Sequence, residues 1–270
     1  MKTDYRLPTA SLRPLIARYW RWQVGALPWP LLPVMPGPGG MEVFFHVGAP
    51  FLQHDDDGTG VVLPAAHTLC VRRAPLKLRV NGPVNFMAVR FRPGAMAHFT
   101  RVSLVSLADR CIDAQVLWGA SVRTLLDQLA AFPAMDDGAA LLDRFFLAHL
   151  QPARHAASID ASIARLQRED VRIATLAQSI GLCSRQLENR FRDATGIPPV
   201  RLRRLARLQR SLRKLLFAPA QQPLTTLLDP GYFDQAQQIR EFRELTGFSP
   251  GQLRKAAAGH AHFYNPPPTP

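Results

Sequence analysis

The sequence is short of the residues that build most catalytic and covalent devices. Its 270 residues hold three cysteines, Cys70, Cys111 and Cys183. They are odd in number, widely spaced and form no C-x-x-C pair, so neither a disulfide framework nor a thiolate zinc site is supported. No G-x-S-x-G, H-E-x-x-H, phosphate-loop or G-x-G-x-x-G pattern occurs, and so no nucleophile–base pair or nucleotide cradle is set up. Catalytic residues, a metal and a cofactor are therefore not expected. No apolar run approaches the ~20 residues that cross a bilayer, and the N-terminal MKTDYRLPTASLRP lacks an apolar signal core. A reduced, cytoplasmic setting is the expectation. Acidic residues are also scarce: 20 Asp and Glu stand against 33 Lys and Arg, a net charge of +13. That excess points to a polyanionic partner, either nucleic acid or an anionic membrane face. Residues 1–150 carry 15 Lys and Arg against 11 Asp and Glu, whereas residues 151–270 carry 18 against 9. The anion-binding surface is expected in the second half.

The first hundred residues alternate short strand-like runs, RYWRWQV, EVFFHV, VVLP, LKLRV and NFMAVRF, with Gly, Pro, Asn and Asp. This predicts a small β-structure. PWPLLPVMPGPGG (28–40) reads as a loop and HDDDG (54–58) as a hairpin or loop tip. His54 beside Asp55, Asp56 and Asp57 is no metal site by adjacency alone, because ligands must converge in space. His46 and His98 read as core-edge or pocket-lining residues. SVRTLLDQLAAF (121–132) and AALLDRFFLAHL (139–150) have apolar residues three and four apart and predict amphipathic helices. Polar QPARHAAS (151–158) marks a domain boundary.

In the second half, Ile173, Leu176, Ala177 and Ile180 share one helical face, and Gly181 supplies a positive φ for a tight turn. Ser184 is the better candidate than Cys183 to cap the next helix. Leu187, Phe191 and Ala194 point inward there, which sets Arg185, Glu188, Asn189 and Arg192 on the opposite side. Those side chains can bond base edges or phosphates; the competing reading is an ordinary solvated face. VRLRRLARLQRSLRKLLF (200–217) is a long helix with a leucine stripe (Leu205, Leu208, Leu212, Leu215, Leu216) and arginines around the rest. Basic amphipathic helices also lie on membranes, so a module binding RNA or an anionic membrane without sequence choice is the alternative.

Two stretches, LAQSIGLCSRQLENRFRDATGIPPVRLRRLARLQRSLRKLL and GYFDQAQQIREFRELTGFSPGQLRK, resemble the DNA-binding domain of AraC/XylS-family transcription regulators. FRDATGIPP and FRELTGFSP echo each other across a linker, and the resemblance spans residues 160–255. SLRPLIARYW, FRPGA and LADRCIDAQVLWG, within residues 6–118, are similar, less specifically, to the β-rich N-terminal domain of one branch of that family. Patterns and resemblance together give an α+β chain. A β-rich effector or dimerisation domain with C-terminal helices (1–152) precedes an all-α domain (156–258) of two helix-turn-helix units joined by a long linker helix. A flexible tail (259–270) follows.

The resemblance implies a bacterial regulator of transcription bound to double-stranded DNA. Arg185, Glu188 and Asn189 would read bases from the first unit, and Gln235, Gln237 and Arg240 from the second. Arg192, Arg201, Arg204, Arg207 and Arg243 would contact phosphates, which set affinity rather than sequence choice. A small-molecule effector would act through residues 1–150, with Trp20, Trp22, His46 and Phe91 as candidate pocket residues. RNA polymerase and a second copy of the chain are further partners left open.

The second unit departs from the pattern. Counted back from Gly231 it has Pro230, Leu227, Thr226 and Pro223 where the first has Ile180, Ala177, Leu176 and Ile173. Leu224, Leu227 and Leu228 form a slipped face. Gln238 stands where an apolar residue is expected, and burying it without partners would cost about 1–3 kcal/mol. Either this unit binds weakly, or it repacks around Tyr232, Phe233 and Phe242 and binds normally.

Overall fold

The computed structural model describes residues 2–25, 31–37, 40–54, 59–152, 155–217, 222–223 and 235–258. Alternating large apolar side chains build its first layer. Strands β1 (Lys2–Arg6), β2 (Ile16–Val24), β3 (Glu42–His46), β6 (Ala66–Leu69), β8 (Val84–Phe91) and β9 (Cys111–Asp113) form an antiparallel sheet in the order β1-β2-β8-β3-β6-β9. Strands β4 (Leu52–His54), β5 (Gly60–Val62) and β7 (Leu78–Arg79) form a second, ordered β5-β4-β7.

The two-residue period of a strand assigns side chains to faces. Trp22 lies opposite Phe86, Trp20 opposite Ala88, and His46 opposite Phe86, so these residues share one side. There they pack with Leu31, Val34, Phe51 and Leu78 from the loop and the second sheet. Tyr19, Val43, Phe45, Met87, Val89 and Phe91 occupy the other side, under the helices. Phe91 therefore does not join Trp20, Trp22 and His46, and that candidate pocket is corrected: the sheet itself separates them. Phe91 packs edge-on against Phe99 at 5.3 Å and Phe146 at 5.2 Å.

A 3-10 turn (Ala95–His98) and helices α1 (Leu104–Leu107), α2 (Gln115–Trp118), α3 (Ser121–Ala131) and α4 (Met135–Ala148) follow β8 and close that side. The expected strand runs hold β2, β3, β5, β7 and β8, and α3 and α4 fall where periodicity places them. Strands β1, β4, β6 and β9 escaped the sequence reading. Residues 55–58 of the expected loop tip lie outside the described residues, but β4 and β5 on either side pair with His54 opposite Gly60. The Pro-rich 28–40 stretch differs from a plain surface loop, because Leu31, Leu32, Val34 and Met35 are buried.

The chain then becomes wholly helical among the described residues: α5 (Ala157–Arg168), α6 (Ile173–Ser179), α7 (Ser184–Thr195), α8 (Pro199–Phe217), α9 (Gln235–Thr246) and α10 (Pro250–Ala258). Leu176, Leu187, Phe191, Leu205, Leu208 and Leu253 belong to one core, which also takes Leu32, Met35 and Val71 from the first half. The fold is the α+β one expected, a β-rich part followed by a helical domain, with apolar residues of the loop joining the two. The tail 259–270 and the residues of the second unit named above between 224 and 233 lie outside the described residues.

Candidate nucleic-acid interface

The apolar stripe decides which side of each helix stays open. In α6, Leu176 and Ala177 are buried and Ile173 and Ile180 half-buried. Gly181 carries φ +68°, a left-handed turn that glycine makes without a Cβ penalty. The Leu182 N–H then donates to the Ala177 carbonyl at 3.0 Å. The cap of α7 is a correction: Cys183 is the N-cap and Ser184 the first helical residue. The reason is Gln186, whose Oε1 accepts from the Cys183 N–H at 3.0 Å, the reciprocal half of a capping box.

Leu187, Phe191 and Ala194 are fully buried, and the 3.6-residue period turns the other side of α7 to solvent. Arg185, Asn189, Arg190 and Arg192 are exposed there. Arg185 and Asn189 lie one turn apart, open to the same ligand. Glu188 is half-buried, and its Oε1 accepts from Arg192 Nη2 at 2.7 Å. An exposed pair at this spacing contributes only about 0.3–0.5 kcal/mol, so a phosphate can displace it. Arg190 was passed over in the sequence because it flanks the apolar stripe instead of standing opposite it.

Both units end in the same device. The Thr195 hydroxyl lies 2.7 Å from the Phe191 carbonyl and accepts from the Ile197 N–H at 3.3 Å. The Thr246 hydroxyl repeats this with Phe242 at 2.7 Å and Phe248 at 3.1 Å. Gly196 and Gly247 follow with φ +79° and +74°. In α9, Gln237, Arg240 and Arg243 are exposed, whereas nothing is described of the Gln235 side chain. Gln238 is buried, 7% exposed, but it has partners, so the cost of an orphaned amide does not arise. Phe242 and Leu245 hold the inner face.

Two of the expected phosphate ligands are engaged in ion pairs within the helical domain. Arg204 reaches Glu241 at 3.1 Å and Glu244 at 2.8 Å, and Arg207 reaches Glu241 at 3.3 Å and Asp170 at 3.8 Å. These arginines of α8 tie it to α9 and to the segment before α6. Arg201 is half-buried and, with Arg73, Asp109 and Val105, lines a cavity of about 310 Å³ between the two halves. Of the expected phosphate ligands, Arg192 and Arg243 stand on exposed helix faces.

The C-terminal end of α7 is docked on the first half. A Cβ on Gly196 would lie 2.5 Å from the Leu104 carbonyl oxygen of α1, and α7 also touches the 3-10 turn. Farther along, Gln209 Nε2 on α8 donates to the Pro36 carbonyl at 2.7 Å. The outer face of α7 is thus open while its end is held.

Residues 176–256 match a family described as a helix-turn-helix domain, and residues 5–113 match a domain of unknown function, DUF6597. ToxT from Vibrio cholerae is similar over 94% of this chain and 98% of its own, at 7% identity and a TM-score of 0.50. The C-terminal domain of AraT, a response regulator from Geobacillus stearothermophilus, is similar over 42% of this chain and 95% of its own, at 18% identity and a TM-score of 0.35. No curated protein matches. Among the described residues no helix is long and apolar enough to cross a membrane. A helix-turn-helix match thus lies over α6 to α10, and the β-rich and helical parts are arranged as in the ToxT fold.

Proposed function

We propose that the chain recognises a specific double-stranded DNA site, with α7 as its principal reading helix and α9 as the second. The observation that carries this is the pairing of an inner face fully buried at Leu187 and Phe191 with exposed Arg185 and Asn189 on the outer face. Arg bonds guanine and Asn bonds adenine through two-pronged contacts. Gln237 and Arg240 read from α9, and Arg192 and Arg243 contact phosphates. Arg204 and Arg207 keep the linker helix in place instead.

Effector control follows from the docking of α7 on α1. A small molecule that shifts the first half changes how α7 is presented. A cavity of only about 70 Å³, lined by Glu42, Cys70, Arg90, Phe91, Gln209 and Arg213, has room for a small polar ligand, whereas Trp20, Trp22 and His46 are 1%, 1% and 4% exposed and pack around Phe86. A second copy of the chain and RNA polymerase belong to the same proposal.

The test is selection of bound sites from random duplexes by the full-length chain, followed by gel shifts across a salt series. A recovered motif preferred roughly 10³-fold or more over competitor supports specific reading. Binding without a preferred site that collapses as salt rises would instead identify an electrostatic binder of any polyanion.

A further inference from the structure

Three side chains from three separate segments meet behind the reading helix. His98 ends the 3-10 turn of the first half, His155 lies in the connection after α4, and Asp160 stands in the first turn of α5. His155 Nε2 is 2.8 Å from Asp160 Oδ1, and His98 Nε2 is 4.0 Å from Asp160 Oδ2. One ligand atom from each lies within 4.8 Å of the others. The two imidazole rings are 5.3 Å apart at 71°, so their edges converge instead of stacking.

An independent observation concerns His98 itself. The residue is 8% exposed, and its Nε2 is buried with no hydrogen-bond partner. An orphaned buried nitrogen costs about 1–3 kcal/mol, and native structures rarely leave one without a reason. Here the nitrogen faces a carboxylate too distant for a hydrogen bond, which needs roughly 3.2 Å or less. Bonds of about 2.0–2.2 Å to a tetrahedral ion would set N and O ligands roughly 3.3–3.5 Å apart. Small side-chain rotations close the gap from the observed spacing.

We infer that His98, His155 and Asp160 form a binding site for a divalent transition-metal ion of the zinc class, bridging the two halves of the molecule. Two imidazole nitrogens and one carboxylate oxygen suit zinc, cobalt(II) or nickel(II). They do not suit calcium or magnesium, which require mostly oxygen ligands at higher coordination number. Asp160 also lines an open cleft of about 590 Å³ together with Arg92, Ile163 and Arg168, a route for the ion and for a water in its fourth position. The site is invisible in sequence because His98 stands far from His155, with α1 to α4 in between. Its place gives it a regulatory consequence: the turn that carries His98 also touches α7, so the ion staples the first half to α5 directly behind the helix proposed to read DNA.

The experiment uses the full-length chain, stripped with a chelator and titrated with zinc against a chromophoric competitor, without DNA. One equivalent should bind, and cobalt(II) should give the visible absorption of a four- or five-coordinate site. H98A, H155A and D160N should each weaken zinc binding by about tenfold or more and abolish the cobalt spectrum, with native circular dichroism retained. If H98A disturbs the buried turn, H155A and D160N carry the comparison alone. Zinc uptake that is absent, or equal in wild type and in H155A and D160N, overturns the site. The measurement involves no nucleic acid, so its failure leaves the DNA-reading proposal untouched, and failure of DNA reading leaves the metal result standing.

Discussion

The outward placement of Arg185 and Asn189 could be read from sequence because a helix with two or three large apolar residues fixes its own outer face. Arg185→Ala is expected to lower affinity for the selected site by about 1–3 kcal/mol and to relax choice at one base position. Gel shifts against singly substituted sites check both. Arg240→Ala should cost a comparable amount now that Gln238 has partners; a loss confined to Arg185 would restore the impaired second unit as the better account. Other residue roles were illegible for a physical reason. Arg204 and Arg207 look like phosphate ligands until Glu241, more than thirty positions away, is folded onto them. The Cys183 cap was hidden because the bond is made by its backbone and by Gln186. A further residue-scale consequence is acid sensitivity. Burial, then the neighbouring His67, hold His46 down at about 3, and burial holds His67 at about 4. Both lie below the ordinary 6.5, so the unfolded chain takes up these protons first. The stability they contribute is fully present above pH 6.5 and is lost as pH falls toward 4 and below. Urea midpoints followed by circular dichroism should drop between pH 7 and pH 4.5, with a shallower slope in His46→Phe.

At the scale of elements, legibility tracked length and period. β2 and β8 carry long runs of aromatic and β-branched residues and were expected; β9 is three residues, Cys111–Asp113, and has too few turns of the pattern to register. Phe91 was grouped with Trp20 because both are aromatic strand residues. The pairing of β2 with β8, which includes an irregularity between Ile16 and Arg18, places them on opposite sides. In the helical domain, Phe191→Ala would remove a fully buried ring at a typical cost of about 3–5 kcal/mol, enough to unfold the first unit. A more discriminating change is Glu241→Ala. It removes the carboxylate that Arg204 and Arg207 share, and should lower stability by up to about 3 kcal/mol. Denaturant unfolding checks this, and a loss within experimental error would reduce the α8–α9 ion pairs to surface decoration.

At the scale of the molecule, two glycines with nearly the same φ separate local strain from communication between the halves. Alanine at either position has to adopt a left-handed backbone, at about 1–2 kcal/mol. At Gly247 nothing lies within 4 Å of the added carbon, whereas at Gly196 it meets the Leu104 carbonyl at 2.5 Å. Gly196→Ala should therefore also loosen α7 from α1, seen as faster amide exchange at Leu104 and altered DNA affinity, with Gly247→Ala as the matched control. Equal behaviour of the two would remove the α1 contact from any account of effector control. That contact, and the burial of loop residues Leu32 and Met35 in the helical core, could not be read beforehand, since neither has a local pattern.

The linker helix α8 has 19 residues, which at 1.5 Å each make a rod about 28 Å long, braced along its side by Arg204 and Arg207. Under the proposed reading by α7 and α9, a rod so fixed would act as a ruler for its target. One added base pair between the two recognised segments would swing them apart by roughly a tenth of a helical turn, and half a turn would put them on opposite sides of the duplex. Binding to spacer-length variants of the selected site should fall off steeply on either side of a single length.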